Sequence, residues 1–332
     1  MDHTVGTGVR RLLCIRTDRL GEVLLTLPAV MALRASYPDC HLTLMVNPQL
    51  AALLSGTPGV DRVVEYREAR GVPWWVKAWR LARELRVGRY DAVVVANPKK
   101  EFHLAAYWAG IPMRVGYHRK WGGLLTHRIP DRKALGACHE VEYNLELVQA
   151  LNPRLTVALW RLPVLERERA EVRHLLAQQG LEPSKPFIAV HPWASNPRKQ
   201  WPAERFRALI RLLSGHGSLQ VVVIGGVEER SRLAAVLPDG VRVAEVVGRL
   251  TLRQLAALLE QARLLVSNDS GPVHVAAAVG TRTVVLFGAA DPATGPRRWG
   301  PWGEGHQVIW KASLEEIAVD EVLAAVNAQL AG

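Results

Sequence analysis

The segment LLVSNDSGPVHVAAAVGTRTVVLF, residues 264–287, decides the fold class of this 332-residue chain. Its two ends, 264–267 and 283–287, are short apolar runs of the kind that form buried strands. Between them, 272–279 is a run of small apolar residues that begins with a proline, which suits the first turn of a helix, and stops before a glycine. A strand, a helix and a second strand in this order predict a βαβ unit of a parallel sheet.

The same alternation of patterns runs through the whole chain and predicts an α/β protein. Strands are expected at 11–15, 41–46, 60–65, 90–96, 187–190 and 219–224, and helices at 24–35, 50–54, 74–85, 166–179, 204–213, 228–236, 252–261 and 313–330. This alternation predicts parallel sheets covered by helices on both faces. Periodicity is lost at 151–163, where two prolines occur. We therefore expect two Rossmann-like domains, 1–160 and 161–312, with the C-terminal segment 313–332 packing back on the first domain.

Composition narrows the class of protein and of partner. The chain has 42 Lys and Arg against 31 Asp and Glu, a net charge of +11 that favours nucleic acid, anionic lipid or a nucleotide-activated substrate. Three separated cysteines without a CxxC pair argue against a disulfide framework or a zinc site. Neither a bilayer-spanning apolar run of about 20 residues nor a signal peptide is visible, so we expect a cytoplasmic protein.

Polar segments that directly follow predicted strands are the candidate sites, because ligands of open parallel sheets bind at the carboxyl ends of the strands. Four segments qualify: RTDRLGE at 16–22, HPWASNPRKQWP at 191–202, GGVEE at 225–229 and SNDSGPVHVAAAVG at 267–280. In the last, the amides of Ser270 and Gly271 would form a phosphate site at a helix N terminus, although Asp269 or Ser270 can also be explained as a cap of that helix. Arg198 and Lys199 are suited to a diphosphate.

Taken together, these segments resemble one known family. RLGE followed by LLTLPAVMALR, then HPWAS and RKQWP, then SNDSGPVHVAAAVGT with TVVLFGAADP, resemble glycosyltransferase family 9, the ADP-heptose:lipopolysaccharide heptosyltransferases. The resemblance covers essentially the whole chain, including MRVGY, interpreted as a turn, and HEVEYNLEL. It implies the GT-B architecture, in which two Rossmann-like domains face each other across a cleft, the first binding the acceptor and the second the nucleotide sugar. It also implies inverting transfer that needs neither a metal nor a cofactor.

The resemblance also implies roles for individual residues. The family's catalytic acid falls on Glu22, where this chain has a glutamate in place of an aspartate, and its K-x-W-P lysine falls on Lys199. The implied donor-binding residues are Ser195, Glu228, Glu229, Asp269, Ser270, Gly271 and His274. Of the two glutamates one is expected to bind the ribose, and the sequence does not choose between them. The expected acceptor-binding residues are Arg19, Lys99, Lys100, Arg119 and Lys120.

These roles fit the chemistry of glycosyl transfer. The reaction passes through an oxocarbenium-like state while a nucleoside diphosphate leaves with growing negative charge. An acceptor hydroxyl needs a carboxylate base, which Glu22 would supply. Lys199 and the amides of Ser270 and Gly271 would stabilise the leaving diphosphate, and Asp269 would hold sugar hydroxyls.

The segment WWVKAWRLARELRVGR, residues 74–89, predicts a basic helix with two interpretations. In the first, Trp74 and Trp79 are buried and the basic residues form an ordinary solvated surface. In the second, the helix docks on an anionic membrane or holds an acidic acceptor.

Other classes of protein remain as alternatives. A nucleic-acid-binding protein would also be basic, but the basic residues are not interleaved with an exposed aromatic platform, so we expect no nucleic-acid partner. A non-catalytic sugar- or nucleotide-binding relative, a family member using another nucleotide sugar, and a nucleotide-sugar epimerase would share the fold. We expect a monomeric transferase whose partners are a nucleotide sugar and an acidic lipid-linked or polysaccharide acceptor. Contact with the inner face of the plasma membrane stays open.

Overall fold

The chain folds into two compact units. The computed structural model describes residues 8–158, 160–182, 184–215 and 219–331, and the units are Met1–Trp160 and Arg161–Gly332. Each unit contains one six-stranded sheet whose paired strands are parallel. The α/β class that the alternating patterns predict is therefore confirmed.

The first sheet has the strand order β3-β2-β1-β4-β5-β6. Its strands are β1 (Arg11–Ile15), β2 (His41–Val46), β3 (Arg62–Glu65), β4 (Ala92–Val95), β5 (Met113–Tyr117) and β6 (His127–Ile129). The helices of this unit are α1 (Leu20–Leu24), α2 (Leu27–Ser36), α3 (Pro48–Leu54), α4 (Trp74–Gly88), α5 (Lys100–Trp108) and α6 (Glu140–Gln149). The central strands β1 and β4 are apolar and buried, as strands of a sheet covered on both faces are.

The second sheet has the strand order β12-β11-β10-β7-β8-β9. Its strands are β7 (Phe187–His191), β8 (Gln220–Val223), β9 (Ala244–Glu245), β10 (Leu264–Asn268), β11 (Thr283–Gly288) and β12 (His306–Lys311). The helices of this unit are α7 (Glu166–Gln178), α8 (Ala203–Ser214), α9 (Leu252–Gln261), α10 (Gly271–Val279), α11 (Pro296–Trp299) and α12 (Val319–Ala331). The deciding segment is confirmed as β10, α10 and β11, with β10 and β11 paired in parallel.

Counted from its own first strand, each sheet has the order 3-2-1-4-5-6, the order of doubly wound nucleotide-binding folds. The order reverses between β1 and β4 in the first sheet and between β7 and β10 in the second. Ligands of such sheets bind at the carboxyl ends of the strands that flank the reversal. Candidate segments lie at the ends of three of these four strands. Segment 16–22 follows β1, segment 191–202 begins at the last residue of β7, and the turn that starts α10 follows β10. The topology therefore places candidate residues at both switch points.

The helix predicted at 24–35 is wrong in its extent. The structure has two helices here, α1 and α2, separated by Leu25 and Thr26. Pro28 has no N–H to donate to the carbonyl of Leu24, and its ring would clash with that carbonyl, so a continuous helix cannot form. As a result α1 is a separate five-residue element directly after the first strand.

The second unit also departs from prediction at two helices. Residues 228–236 lie in a 3-10 helix, Val227–Ala235, and not in an α-helix. The segment 313–330 is a short 3-10 helix, Leu314–Glu316, followed by α12. We expected this final segment to pack back on the first domain. Instead, Val322 and Val326 of α12 are buried in the core of the second unit.

Four strands, β5, β6, β9 and β12, are not predicted from the sequence, and MRVGY is β5 and not a turn.

Across the parts of the chain that the structure describes, none of the helices has the length and hydrophobicity required to cross a lipid bilayer.

Candidate functional site

An ion pair between Lys199 and Asp269 lies at the switch point of the second sheet. Lys199 ends the 3-10 helix Pro197–Lys199 in the loop after β7, and Asp269 directly follows β10. The Lys199 ammonium donates a hydrogen bond to the Asp269 carboxylate, and the two side chains are 30% and 10% exposed. Burial raises the pKa of Asp269, and the charge of Lys199 opposes that rise. The pair therefore holds a cation beside the N terminus of α10.

Ser270 is the N-cap residue of α10, but its side chain does not cap the helix. Its Oγ instead lies 3.0 Å from His191 Nδ1 and 2.9 Å from Ser267 Oγ. The prediction that Asp269 or Ser270 is present as a helix cap is therefore wrong for both side chains, because Asp269 pairs with Lys199. The Ser270 hydroxyl therefore accepts no hydrogen bond from the amides of the first turn of this helix.

The protons in this hydrogen-bond chain can be assigned by counting donors. Ser267 Oγ donates its single proton to the carbonyl of Asn268 at 2.8 Å. Ser270 must then donate to Ser267, and the remaining bond to Ser270 requires a proton on His191 Nδ1. Burial lowers the pKa of His191 to about 4, so the ring is neutral at pH 7 with its proton on Nδ1. The chain fixes the orientation of the Ser270 hydroxyl.

The side-chain amide of Asn268 holds the loop that carries Lys199. The Asn268 side chain donates to the carbonyl of Pro192 at 2.7 Å and accepts from the backbone N–H of Trp201 at 2.9 Å. Trp201 is 1% exposed, and its indole N–H donates to the carbonyl of Ile317 at 2.9 Å. Both ends of the loop after β7 are therefore attached to β10. Asn268 and His191 lie in two of the candidate segments, at the carboxyl ends of β10 and β7, but the sequence gives neither of them an individual role.

The other expected donor-binding residues differ in their surroundings. Glu228 is exposed, whereas Glu229 is half-buried and forms an ion pair with Arg232 at 3.7 Å. The Glu229 carboxylate folds back over Gly226, where a Cβ would lie 2.8 Å from its Oε2. Ser195 is exposed in the loop after β7, and His274 is buried in α10.

Glu22 lies in α1, directly after the loop that follows β1 in the first unit. Burial raises the pKa of its carboxyl group. Its own backbone N–H lowers the pKa, the negative charge of Asp18 raises it, and the positive charges of Arg16 and Arg19 lower it. The net direction is upward, so Glu22 is a stronger proton acceptor than an ordinary glutamate once it is ionised.

A buried ionic network missed by the sequence analysis supports this loop. Arg16, 3% exposed, forms ion pairs with Asp18 at 2.9 Å and with Glu140 at 3.3 Å. It also donates to Asn144 Oδ1 and to the carbonyl of Ala96, both at 3.3 Å. Arg16 thereby ties the loop between β1 and α1 to α6 and to the end of β4. An arginine directly after a buried strand was the available signal, since such a charge needs partners.

Two of the expected acceptor-binding cations are already paired with carboxylates. Lys99 contacts Glu68 at 3.0 Å, and Arg119 contacts Asp131 at 2.8 Å. Lys100, Lys120 and Arg19 are exposed. Arg119 is exposed as well, so four of the five cations are open to solvent, whereas Lys99 is half-buried beside Glu68.

No metal site accompanies these residues in the described part of the chain, which contains no group of three or more His, Cys, Asp or Glu side chains arranged to hold an ion.

Comparison with known proteins decides the family. The family model of glycosyltransferase family 9 (heptosyltransferase) matches residues 78–322. The chain belongs to glycosyltransferase family 9. Lipopolysaccharide heptosyltransferase 3 of Escherichia coli is 27% identical over 316 residues, which cover 90% of this chain and 88% of that protein.

Solved structures of two other proteins match this family 9 chain along its whole length. The family 9 glycosyltransferase of Veillonella parvula has a TM-score of 0.88 at 22% identity and covers 99% of both chains. The ADP-heptose lipopolysaccharide heptosyltransferase II of E. coli has a TM-score of 0.80 at 26% identity, with 97% of this chain and 98% of that chain covered. The predicted GT-B fold class and family membership are therefore confirmed, and the protein is a glycosyltransferase and not an epimerase.

Within this family 9 glycosyltransferase, each unit assembles part of the expected site. The second unit brings Lys199, Asp269 and Ser270 together around the start of α10, and leaves Glu228 at its surface. The first unit places Glu22 in α1, directly after the loop that the Arg16 network supports.

Proposed function

We propose that this family 9 glycosyltransferase is an inverting, metal-independent heptosyltransferase that transfers heptose from ADP-heptose to an acidic, lipid-linked acceptor of the lipopolysaccharide core. The Lys199–Asp269 pair at the start of α10 carries the proposal, because it puts a cation where a diphosphate would lie in a sheet of this topology. Relatives named lipopolysaccharide heptosyltransferase, and one named for ADP-heptose, support the choice of sugar and acceptor. We further propose that the enzyme works as a monomer in the cytoplasm, at the inner face of the plasma membrane.

The leaving diphosphate is stabilised by the second unit. The N terminus of α10 attracts negative charge through its free amides and its dipole, and Ser270 and Gly271 supply the first backbone donors. Lys199 adds a full positive charge as the bond to the anomeric carbon breaks. Asp269 holds Lys199 in position and accepts hydrogen bonds from sugar hydroxyls. Ser195 and His274 complete the donor site.

The ribose of the nucleotide is bound by Glu229 and not by Glu228. Support comes from the half-buried position of Glu229, whose carboxylate lies over Gly226 in the loop after β8, at the carboxyl end of that strand. The Glu229 carboxylate forms an ion pair with Arg232 at 3.7 Å, and its oxygens accept hydrogen bonds from the vicinal ribose hydroxyls.

Glu22 is the general base of the first unit. Its carboxylate removes the proton of the acceptor hydroxyl while that oxygen attacks the anomeric carbon, opposite the departing diphosphate. The proton ends on Glu22, the new bond joins acceptor oxygen and sugar, and ADP leaves with the electrons of the broken bond. Attack from the opposite face inverts the anomeric configuration. Arg19, Lys100 and Lys120 meet the anionic groups of the acceptor, and Lys99 and Arg119 border them.

A donor screen tests the proposed function. In thermal-shift measurements, ADP-heptose at about 100 times its Kd stabilises the protein by about 2.7 kcal/mol, whereas GDP-, UDP- and dTDP-sugars at the same concentration do not. Release of ADP from ADP-heptose, measured with an acceptor and excess EDTA, then reports turnover without divalent metal. Stabilisation by another nucleotide sugar alone would assign the enzyme a different donor. A rate that EDTA abolishes would contradict the metal-independent mechanism.

His191 is expected to act as a positioning residue for Ser270. His191→Ala leaves the Ser270 hydroxyl without its donor and should raise KM for the nucleotide sugar about tenfold, the cost of one unsatisfied buried group. His191→Asn keeps an N–H that reaches toward Ser270 and should restore part of the loss. Steady-state kinetics with varied donor measure both, and His174→Ala, at an exposed histidine of the same unit, is the control. Equal KM in all three variants would remove this role.

A further inference from the structure

The helix α4 exposes large apolar side chains to solvent, although apolar surface is more stable when it is removed from water. Trp75 is 55% exposed, Trp79 51% and Val87 84%. Together with Arg83 they lie at intervals of four residues, so they form one row along the helix. A neighbouring face, formed by Ala78, Leu81, Ala82 and Leu85, is buried in the core of the unit. The interpretation in which Trp79 is buried is therefore wrong.

Positive charge shares this surface with the tryptophans. The Arg83 guanidinium lies over the Trp79 ring, 5.0 Å from its centroid. The helix carries Lys77, Arg80, Arg83 and Arg86 against a single acid, Glu84. The argument against a nucleic-acid partner assumed that no exposed aromatic residues accompany the basic ones, and that assumption is also wrong.

At the start of the helix, Trp74 lies beside this row and connects α4 to a residue of the expected acceptor site. Trp74 contacts Trp121 edge to face, with ring centroids 4.9 Å apart. Trp121 is 40% exposed, and the Lys100 ammonium lies 5.8 Å from the centre of the Trp74 ring. We use the term tryptophan surface for the exposed side chains of α4: Trp75, Trp79, Arg80, Arg83, Arg86 and Val87. Its N-terminal end borders the cations that we assign to the acceptor.

We propose that the tryptophan surface docks the enzyme on the headgroup region of an anionic lipid bilayer. Tryptophan is favoured at the boundary between water and hydrocarbon, and arginines on the same helix are attracted to anionic lipid. Docking by this face brings Lys100 and its neighbours to the membrane, which suits the lipid-linked acceptor of the proposed function, on which this inference rests. Single-stranded nucleic acid also stacks on tryptophan and arginine, but Val87 offers a base nothing to stack on, whereas it adds apolar area in a bilayer.

Sedimentation with sucrose-loaded vesicles tests the inference on the full chain without donor or acceptor. We expect binding to vesicles of 7:3 phosphatidylcholine and phosphatidylglycerol at physiological salt, with a blue shift of tryptophan emission, and little binding to pure phosphatidylcholine. The Trp75→Ala, Trp79→Ala double variant should bind about tenfold more weakly. Replacing Arg80, Arg83 and Arg86 by glutamine should weaken binding about 100-fold.

Matched controls come from the second unit. Trp310→Ala removes a tryptophan that is 56% exposed on β12, and replacing Arg167, Arg173 and Arg211 by glutamine removes the same charge from exposed positions. Both controls should bind vesicles as the wild type does, and circular dichroism verifies that every variant is folded. Losses as large in the controls would show nonspecific attraction and overturn the inference. Wild-type protein that does not bind anionic vesicles would also overturn the inference. This holds even if the protein binds a fluorescent single-stranded oligonucleotide through the same residues. ADP release in solution is measured separately, so failure of docking and failure of transfer are distinguished.

Discussion

Replacement of Lys199 by alanine will lower kcat for glycosyl transfer about 100- to 1,000-fold, the loss typical of removing one preorganised donor from a developing anion. The ammonium is held beside the start of α10 by the buried carboxylate of Asp269. Negative charge on the diphosphate grows as the glycosidic bond breaks, so Lys199 interacts more strongly with the transition state than with the bound donor. We therefore expect kcat to fall much more than KM rises.

Two further variants separate chemistry from folding in this experiment. Lys185→Ala, at a half-buried lysine of the same unit that pairs with Glu182 at 2.9 Å, should retain the wild-type rate. Removal of Lys199 alone leaves Asp269 buried beside no cation, which raises the pKa of that carboxyl further. The Lys199→Ala, Asp269→Asn double variant should therefore lose less than the product of the single losses. Near wild-type turnover by folded Lys199→Ala protein would rule out its role in leaving-group departure.

The buried strands could be predicted because parallel sheets covered by helices leave a continuous apolar run in the sequence. The strands β7 and β10 have that pattern, and both are buried along their whole length. Three of the four edge strands lack it: β6 and β12 are only partly buried, and β9 has two residues. Their sequences therefore lack the run that predicts a strand.

The candidate residues could be located by their position after strands, but their partners could not. Ser270 and His191 are 79 positions apart in the chain and meet because β7 and β10 are neighbours in the sheet. Local patterns do not reveal strand order, so the Ser270 hydroxyl was interpreted as a cap for its own helix. The same holds for Arg16, whose partner Glu140 is 124 positions away. The long-range pairs of polar groups at the switch points therefore become visible only in the folded structure.

Replacement of Glu22 by glutamine should lower kcat/KM about 100- to 10,000-fold, the range over which a positioned general base contributes. Glutamine has nearly the same shape, and α1 makes its backbone bonds without this carboxylate, so the fold should survive. Glu84→Gln, at an exposed glutamate of the same unit, should have no effect on the rate. Glu22→Asp introduces the residue expected from the family motif and should keep measurable activity, since only one methylene is lost. Full activity of the glutamine variant would assign the base to another group.

The pH dependence of kcat/KM distinguishes a base at Glu22 from a structural role for this side chain. Burial raises the pKa of Glu22, and Asp18 raises it further. A base must be ionised to accept a proton, so activity should fall as the pH drops through a pKa above the ordinary value for glutamate. Asp18→Asn removes a negative charge near Glu22, stabilises the ionised carboxylate and should move this acidic limb to lower pH. A profile that stays unchanged in Asp18→Asn, or an acidic limb that persists in Glu22→Gln, would show that the titrating group is not Glu22. A purely structural glutamate would give a loss of rate without a shifted limb.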